Sequence, residues 1–123
     1  MKNAPLLPIV LLAALGAQAA EATCIYPQAP DQMPDGATAT LDQMLAAQKL
    51  VKQFDTDIDA YNACLDMELQ TALANPNLDD TQKAALKEMQ AAKHNAAVDA
   101  DQALADQFNE QVRAYQEAHK KQE

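Results

Sequence analysis

The sequence predicts an all-α protein: a long antiparallel two-helix hairpin, coiled-coil-like, preceded by an extended Pro-rich N-terminal arm. Three observations predict it. From Thr40 onward the chain is rich in Ala, Gln, Leu, Lys and Asp, with few β-branched residues and no glycine, which favours helix over sheet. Apolar side chains recur there at helical spacing along two long stretches. A single short break, Asn75-Pro76-Asn77-Leu78, separates them, and a connection that short makes the two helices antiparallel neighbours.

Residues 1–19 read as a secretory signal peptide. Met1-Lys2-Asn3 is a short positive start, Ala4 to Leu15 is uncharged and apolar, and Ala17-Gln18-Ala19 is a small-x-small cleavage signal. A membrane anchor is the alternative, but the apolar run is about half of the roughly 20 residues that a spanning helix needs. Pro5 and Pro8 also interrupt it. Cys24 raises the question of a lipoprotein, yet Glu21-Ala22-Thr23 does not place an aliphatic residue three before the cysteine. Cleavage after Ala19 leaves 104 residues, one domain's worth, destined for the periplasm or the exterior.

Residues 20–39 form the arm. Pro27, Pro30 and Pro34 exclude helix and favour an extended, polyproline-type path. Pro34-Asp35-Gly36 is a turn signal in which proline presets φ and glycine permits a positive φ.

The hairpin occupies residues 40–123. Its first helix is predicted over about 40–75. Thr40 and Gln43 make a capping box, and Asp42 suits the positive end of the helix dipole. Met44, Val51, Ile58, Leu65 and Ala72 fall seven apart, with Ala47, Phe54 and Tyr61 between them, which is an a/d seam. Asn75 stands before Pro76 and ends the helix. The second helix is predicted over about 80–120, with Asp79 and Gln82 as its capping box and Leu78 as a hydrophobic staple. Its stripe is Leu86, Met89, Ala97, Leu104, Phe108, Val112 and Tyr115. His119, Lys120 and Lys121 suit the negative C-terminal end.

Cys24 and Cys64 are the only cysteines. An oxidising compartment predicts a disulfide between them rather than a metal site. Geometry permits it. Cys64 lies about 36 Å along the first helix, and the residues between Cys24 and Thr40 reach roughly 50 Å when extended. With a turn at Gly36, the arm runs back along the helix to Cys64.

Function classes are excluded more readily than assigned. With Lys2 removed, eight cations stand against eighteen acids, a formal charge of −10. That argues against nucleic acid and against an anionic membrane surface as partners. No catalytic residue, cofactor site or metal site is expected. The chain has no serine, the cysteines are consumed, and a two-helix hairpin offers no enclosed pocket to tune a carboxylate. Asp55-Thr56-Asp57-Ile58-Asp59, with Asp66 at the twelfth position, resembles a calcium loop, but Ala60 stands where the sharp turn needs glycine. A solvated acidic helix face is the expectation. His94 and His119 are 25 residues apart on one helix and cannot share a metal; His94 is read as a surface or seam residue. Asn62, Asn95 and Asn109 are read as surface residues, with a register-fixing buried asparagine as the alternative.

Two resemblances add to this reading. Cys24…Pro34-Asp35-Gly36-Ala37-Thr38, Met44…Ala47-Gln48…Val51-Lys52…Phe54 and Tyr61-Asn62-Ala63-Cys64-Leu65 resemble a group of small, exported, uncharacterised proteobacterial helical proteins. So do Asn95-Ala96-Ala97-Val98-Asp99 and Phe108-Asn109…Arg113-Ala114-Tyr115. The resemblance implies an exported helical protein without assigned activity. Leu78-Asp79-Asp80-Thr81-Gln82 is similar to the L-T-x-x-Q motif of periplasmic stress chaperones of the Spy and CpxP type, with Asp79 in place of the threonine. Those are four-helix cradles, whereas two helices are predicted here. The expected role is a non-catalytic structural or protein-interaction protein, with a holdase-type chaperone or envelope-stress factor as the alternative. A protein partner or a homo-oligomer is expected, because the arm residues Ile25, Tyr26 and Met33 cannot cover Leu45, Leu50, Leu69 and Leu73 on both flanks.

Overall fold

The structure, a computed structural model, describes residues 23–120; the predicted signal peptide lies outside them. Two helices, α1 (Leu41–Leu73) and α2 (Asp80–Lys120), pack against each other as an antiparallel hairpin. The described residues contain no strand, and no helix among them is long and apolar enough to cross a membrane.

Both helices start at the predicted capping boxes. Thr40 has an extended backbone (φ −80°, ψ 162°), and its hydroxyl accepts from the Gln43 N–H at 3.2 Å. The Gln43 side chain accepts in return from the Thr40 N–H at 2.8 Å. Asp79 and Gln82 repeat the exchange at 2.8 and 3.0 Å. Each box satisfies orphan donors of a first turn. Helix α1 stops at Leu73, two residues before the predicted Asn75. The Asn75 N–H bonds the Ala72 carbonyl at 3.2 Å, which tightens the last turn, and the Asn75 side chain accepts from the Asn77 N–H at 3.0 Å. This Asx turn reverses the chain around Pro76.

The α1 seam lies where the heptad places it. Met44, Ala47, Phe54, Ile58 and Leu65 are buried, and Val51, Tyr61 and Ala72 are half-buried. The α2 stripe is only partly as predicted. Ala97 is 0% exposed and Leu104 is buried, but Leu86, Phe108, Val112 and Tyr115 are half-buried and Met89 is 52% exposed. The half-buried row of α2 runs through Gln90, His94, Asp101 and Gln111. Polar residues therefore take seam positions that an apolar count cannot see, and Met89 is displaced from the seam. Gln90 uses its place to donate to Asp66 of α1 at 2.6 Å. Ala97 has almost no side chain, so the two backbones approach closely there.

The arm is the third packing element. Cys24, Pro27, Pro30 and Met33 are half-buried, while the residues between them are exposed. A burial period of three is that of polyproline II, which turns one edge of the arm to the hairpin. Met33 packs on the central cluster of Phe54, Ile58, Ala97 and Leu104. The same period turns Ile25 outward, 88% exposed, so it does not cover the hairpin as predicted. Leu69 and Leu73 are half-buried in the hairpin itself, whereas Leu45 and Leu50 remain exposed.

Gly36 is needed for a reason other than the predicted one. Its φ is not positive. The turn closes by bonds from the Thr38 and Ala39 N–H groups to the Asp35 carbonyl at 3.1 and 2.8 Å, and the Asp35 carboxylate accepts from the Ala37 N–H at 3.0 Å. Gly36 is buried against α2, where its N–H donates to the Gln111 side chain at 2.9 Å. A Cβ here would run into the Gln111 carbonyl group, 2.7 Å from its carbon and 2.9 Å from the Tyr115 nitrogen. These are helix backbone atoms and cannot yield. Gly36→Ala should therefore lift the turn from α2 and lower stability by about 1–3 kcal/mol. The exposed neighbour change Ala37→Ser should stay within about 0.5 kcal/mol. Thermal unfolding of the two variants checks this, and equal effects would refute the close approach.

Candidate functional site

Tyr61, Cys64 and Glu68 stand on one face of α1, at i, i+3 and i+7. All three hold the start of the arm. Cys64 forms the disulfide with Cys24, with a Cα–Cα distance of 5.8 Å, as the sequence predicts. The Glu68 carboxylate accepts from the Cys24 N–H at 2.8 Å. Tyr26 meets Tyr61 edge to face, with centroids 5.2 Å apart. The arm is thus fixed at both ends, by this group on α1 and by Gly36 on α2.

The groove does not end where the described arm ends. Past Thr23, toward the interhelical turn, it continues as an open channel of about 660 Å³ bordered by Met67, Thr71, Ala72, Leu78 and Leu86. A smaller recess of about 150 Å³ lies on the seam between Leu65, Leu69, Leu86 and Met89, with Glu68 and Lys93 at its rim. Met67 and Met89, at 63% and 52% exposure, are large apolar side chains left in water beside these surfaces. Methionine is adaptable enough to fit varied partners. The lining carries one carboxylate, Glu68, and that group already holds the arm. The channel lining is mostly apolar, with Thr23, Glu68, Thr71 and Asn75 as its polar members.

Asp101 of α2 has a perturbed acidity. Desolvation in the seam raises its pKa above the ordinary 3.8, and Asp55 and Asp59 across the interface raise it further. Asp55 also accepts a hydrogen bond only from the protonated carboxyl. One Asp101 oxygen is buried without a partner among the described residues, as is the side-chain oxygen of Asn62.

The remaining candidate residues fall as follows. Residues 55–59 and Asp66 are helical throughout, so no calcium loop forms. His94 is half-buried on α2, whereas His119 is exposed, stacks on Tyr115 at 4.0 Å and contacts its carbonyl at 2.8 Å. Asn95 and Asn109 are exposed, but Asn62 is 8% exposed within the seam, contrary to the surface reading. Asp79 and Gln82, which carry the likeness to the chaperone motif, are engaged in the helix cap. Neither the continuing groove nor the Asp101 cluster was foreseen in the sequence.

No family model matches the chain, and no curated protein or solved structure is significantly similar to it.

Two outcomes follow from this geometry. The disulfide closes a sequence separation of 40, which the chain-entropy account values at about 4 kcal/mol. Reduction should lower thermal stability by an amount of that order, and intact mass before and after reductant should differ by two hydrogens. Two alkylatable thiols in the unreduced protein would refute the pairing. Asp101 binds its proton more tightly folded than unfolded. Its contribution to stability is therefore present in acid and is lost as pH rises from the ordinary carboxylate range through the raised value. Asp101→Asn should raise the Tm by a few degrees at neutral pH, and the gain should vanish near pH 4. A gain independent of pH would exclude the carboxyl as its source.

Proposed function

We propose that this is an exported, non-catalytic protein-interaction protein whose hairpin receives an extended segment of another polypeptide. The observation that carries this reading is the continuation of the arm's own groove past Thr23 as an open apolar channel. The arm shows what such a groove accepts. It is an extended chain with every third side chain turned inward, held by side-chain acceptors for its backbone N–H groups. Export is supported by the disulfide, which persists in oxidising compartments, and by the leader composition. The net negative surface keeps nucleic acid and anionic lipid away.

A holdase-type chaperone is the second reading, favoured by the exposed Met67 on the channel and Met89 on the neighbouring recess. Two measurements separate them. Native pull-down from envelope extract should recover a defined partner with the wild type. Met67→Glu, a change at an exposed position, should weaken its binding at least about tenfold, or 1.4 kcal/mol, with unchanged thermal stability. A dedicated module leaves aggregation of an unfolded client unaffected at stoichiometric ratio, whereas a holdase suppresses it. Equal binding by wild type and Met67→Glu would overturn the channel as the docking site.

A further inference from the structure

We propose that Cys24, Cys64 and Glu68 form a latent site for a thiophilic divalent cation, zinc above all, that opens when the disulfide is reduced. This inference is independent of the groove, and its failure leaves the interaction reading untouched. The two sulfurs and a Glu68 carboxylate oxygen lie within 4.8 Å of one another. In a tetrahedral zinc site, with Zn–S about 2.3 Å and Zn–O about 2.0–2.2 Å, neighbouring donors stand roughly 3.5 Å apart. The three groups are therefore already gathered at the scale of a coordination shell. On reduction the two sulfurs must separate from bonding distance and the carboxylate must close the remaining gap.

The supports of the site are in place. Cys64 and Glu68 are four residues apart on α1, so they share a face one turn from each other, as paired metal ligands on a helix do. Cys24 comes from a different element, which fixes the third direction. The Cys24 N–H already holds Glu68 Oε1 at 2.8 Å, which orients the carboxylate. All three residues are half-buried, so an ion would be partly shielded while its fourth position opens to water. Two thiolates and a carboxylate are a donor set that zinc accepts readily.

The chemistry balances. A phosphine takes the oxygen of one water and becomes its oxide, while the disulfide gains two electrons and two protons to give two thiols. On binding the cation, each thiol releases its proton to solvent and becomes a thiolate ligand. The cation then replaces the covalent staple with a coordinate one, and the arm of a reduced chain stays pinned to α1.

The test uses the protein of residues 20–123, reduced with a phosphine under argon because thiol reductants bind the metal. Cobalt(II) serves as the spectroscopic probe. The expected result is a 1:1 titration with thiolate-to-cobalt charge-transfer and tetrahedral d–d bands, displaced by zinc, and a higher Tm of the reduced protein with zinc. The oxidised protein should show neither. Loss of an outer-shell partner alone costs about 10–100-fold in affinity, so Glu68→Gln should weaken binding at least about tenfold. Glu68→His, which restores a ligand at the same position, should recover it. Absence of the charge-transfer band in the reduced protein overturns the proposal. So does equal affinity of Glu68→Gln and wild type, which would leave a two-thiolate site only.

Discussion

Everything in this fold depends on the arm lying in the groove between two thin helices. Two helices can bury only one stripe each, and here the shared cluster is small: Phe54, Ile58, Ala97 and Leu104. Met33 adds to it from the arm, so the core is closed by three elements rather than two. An extended segment of this kind is costly to order, since it makes no hydrogen bonds of its own. It stays because both ends are held by different physics. At one end a covalent bond and a charge-assisted hydrogen bond tie Cys24 to α1. At the other, the missing side chain of Gly36 lets a backbone sit directly on the backbone of α2.

Polar residues in the α2 seam complete this arrangement. Gln111 supplies the acceptor for Gly36, and Gln90 reaches across to Asp66. Neither would be placed in a core by hydrophobicity, yet each meets a partner that needs it. Asp101 is different, since its neighbours across the seam are Asp55 and Asp59 and one of its oxygens has no partner. Like charges facing each other in a desolvated seam work against close packing. The close approach is carried instead by Ala97, one turn away. Asn62 is buried with an unpartnered oxygen in the same seam, and an asparagine at such a position costs stability while restricting the registers two helices can adopt.

The helices, their capping boxes, the α1 seam and the disulfide were legible in the sequence because each is a local or additive signal. Capping boxes need only residues three apart, and the α1 heptad repeats without interruption from Met44 to Ala72. The disulfide followed from having two cysteines and one reach. What was missed depends on contacts between distant elements. Gly36 looked like a turn glycine because Pro-Asp-Gly is a turn signal, but the constraint on it comes from Gln111 and Tyr115, 75 or more residues away. Met89 looked like a seam residue because it is apolar, whereas the seam takes Gln90 and leaves Met89 in water. The channel could not be read at all, because its lining comes from the arm, α1, the interhelical turn and α2 together.

The open channel sets the turn end of the hairpin apart from the rest of its surface. Along the arm, the Cys24 and Gly36 N–H groups are met by Glu68 of α1 and Gln111 of α2. Between Thr23 and the interhelical turn the same two helices border the channel. The channel is bordered by both helices and the turn between them, with Ala72 beside the larger Met67, Leu78 and Leu86. An incoming segment meets a surface whose ordering cost has been met already by the capped helices and the pinned arm. Binding then costs chiefly the ordering of the partner. A groove on a hairpin already held together by a pinned arm is therefore better suited to hold a second chain than a bare two-helix hairpin, whose helices would have to be held together by the ligand itself.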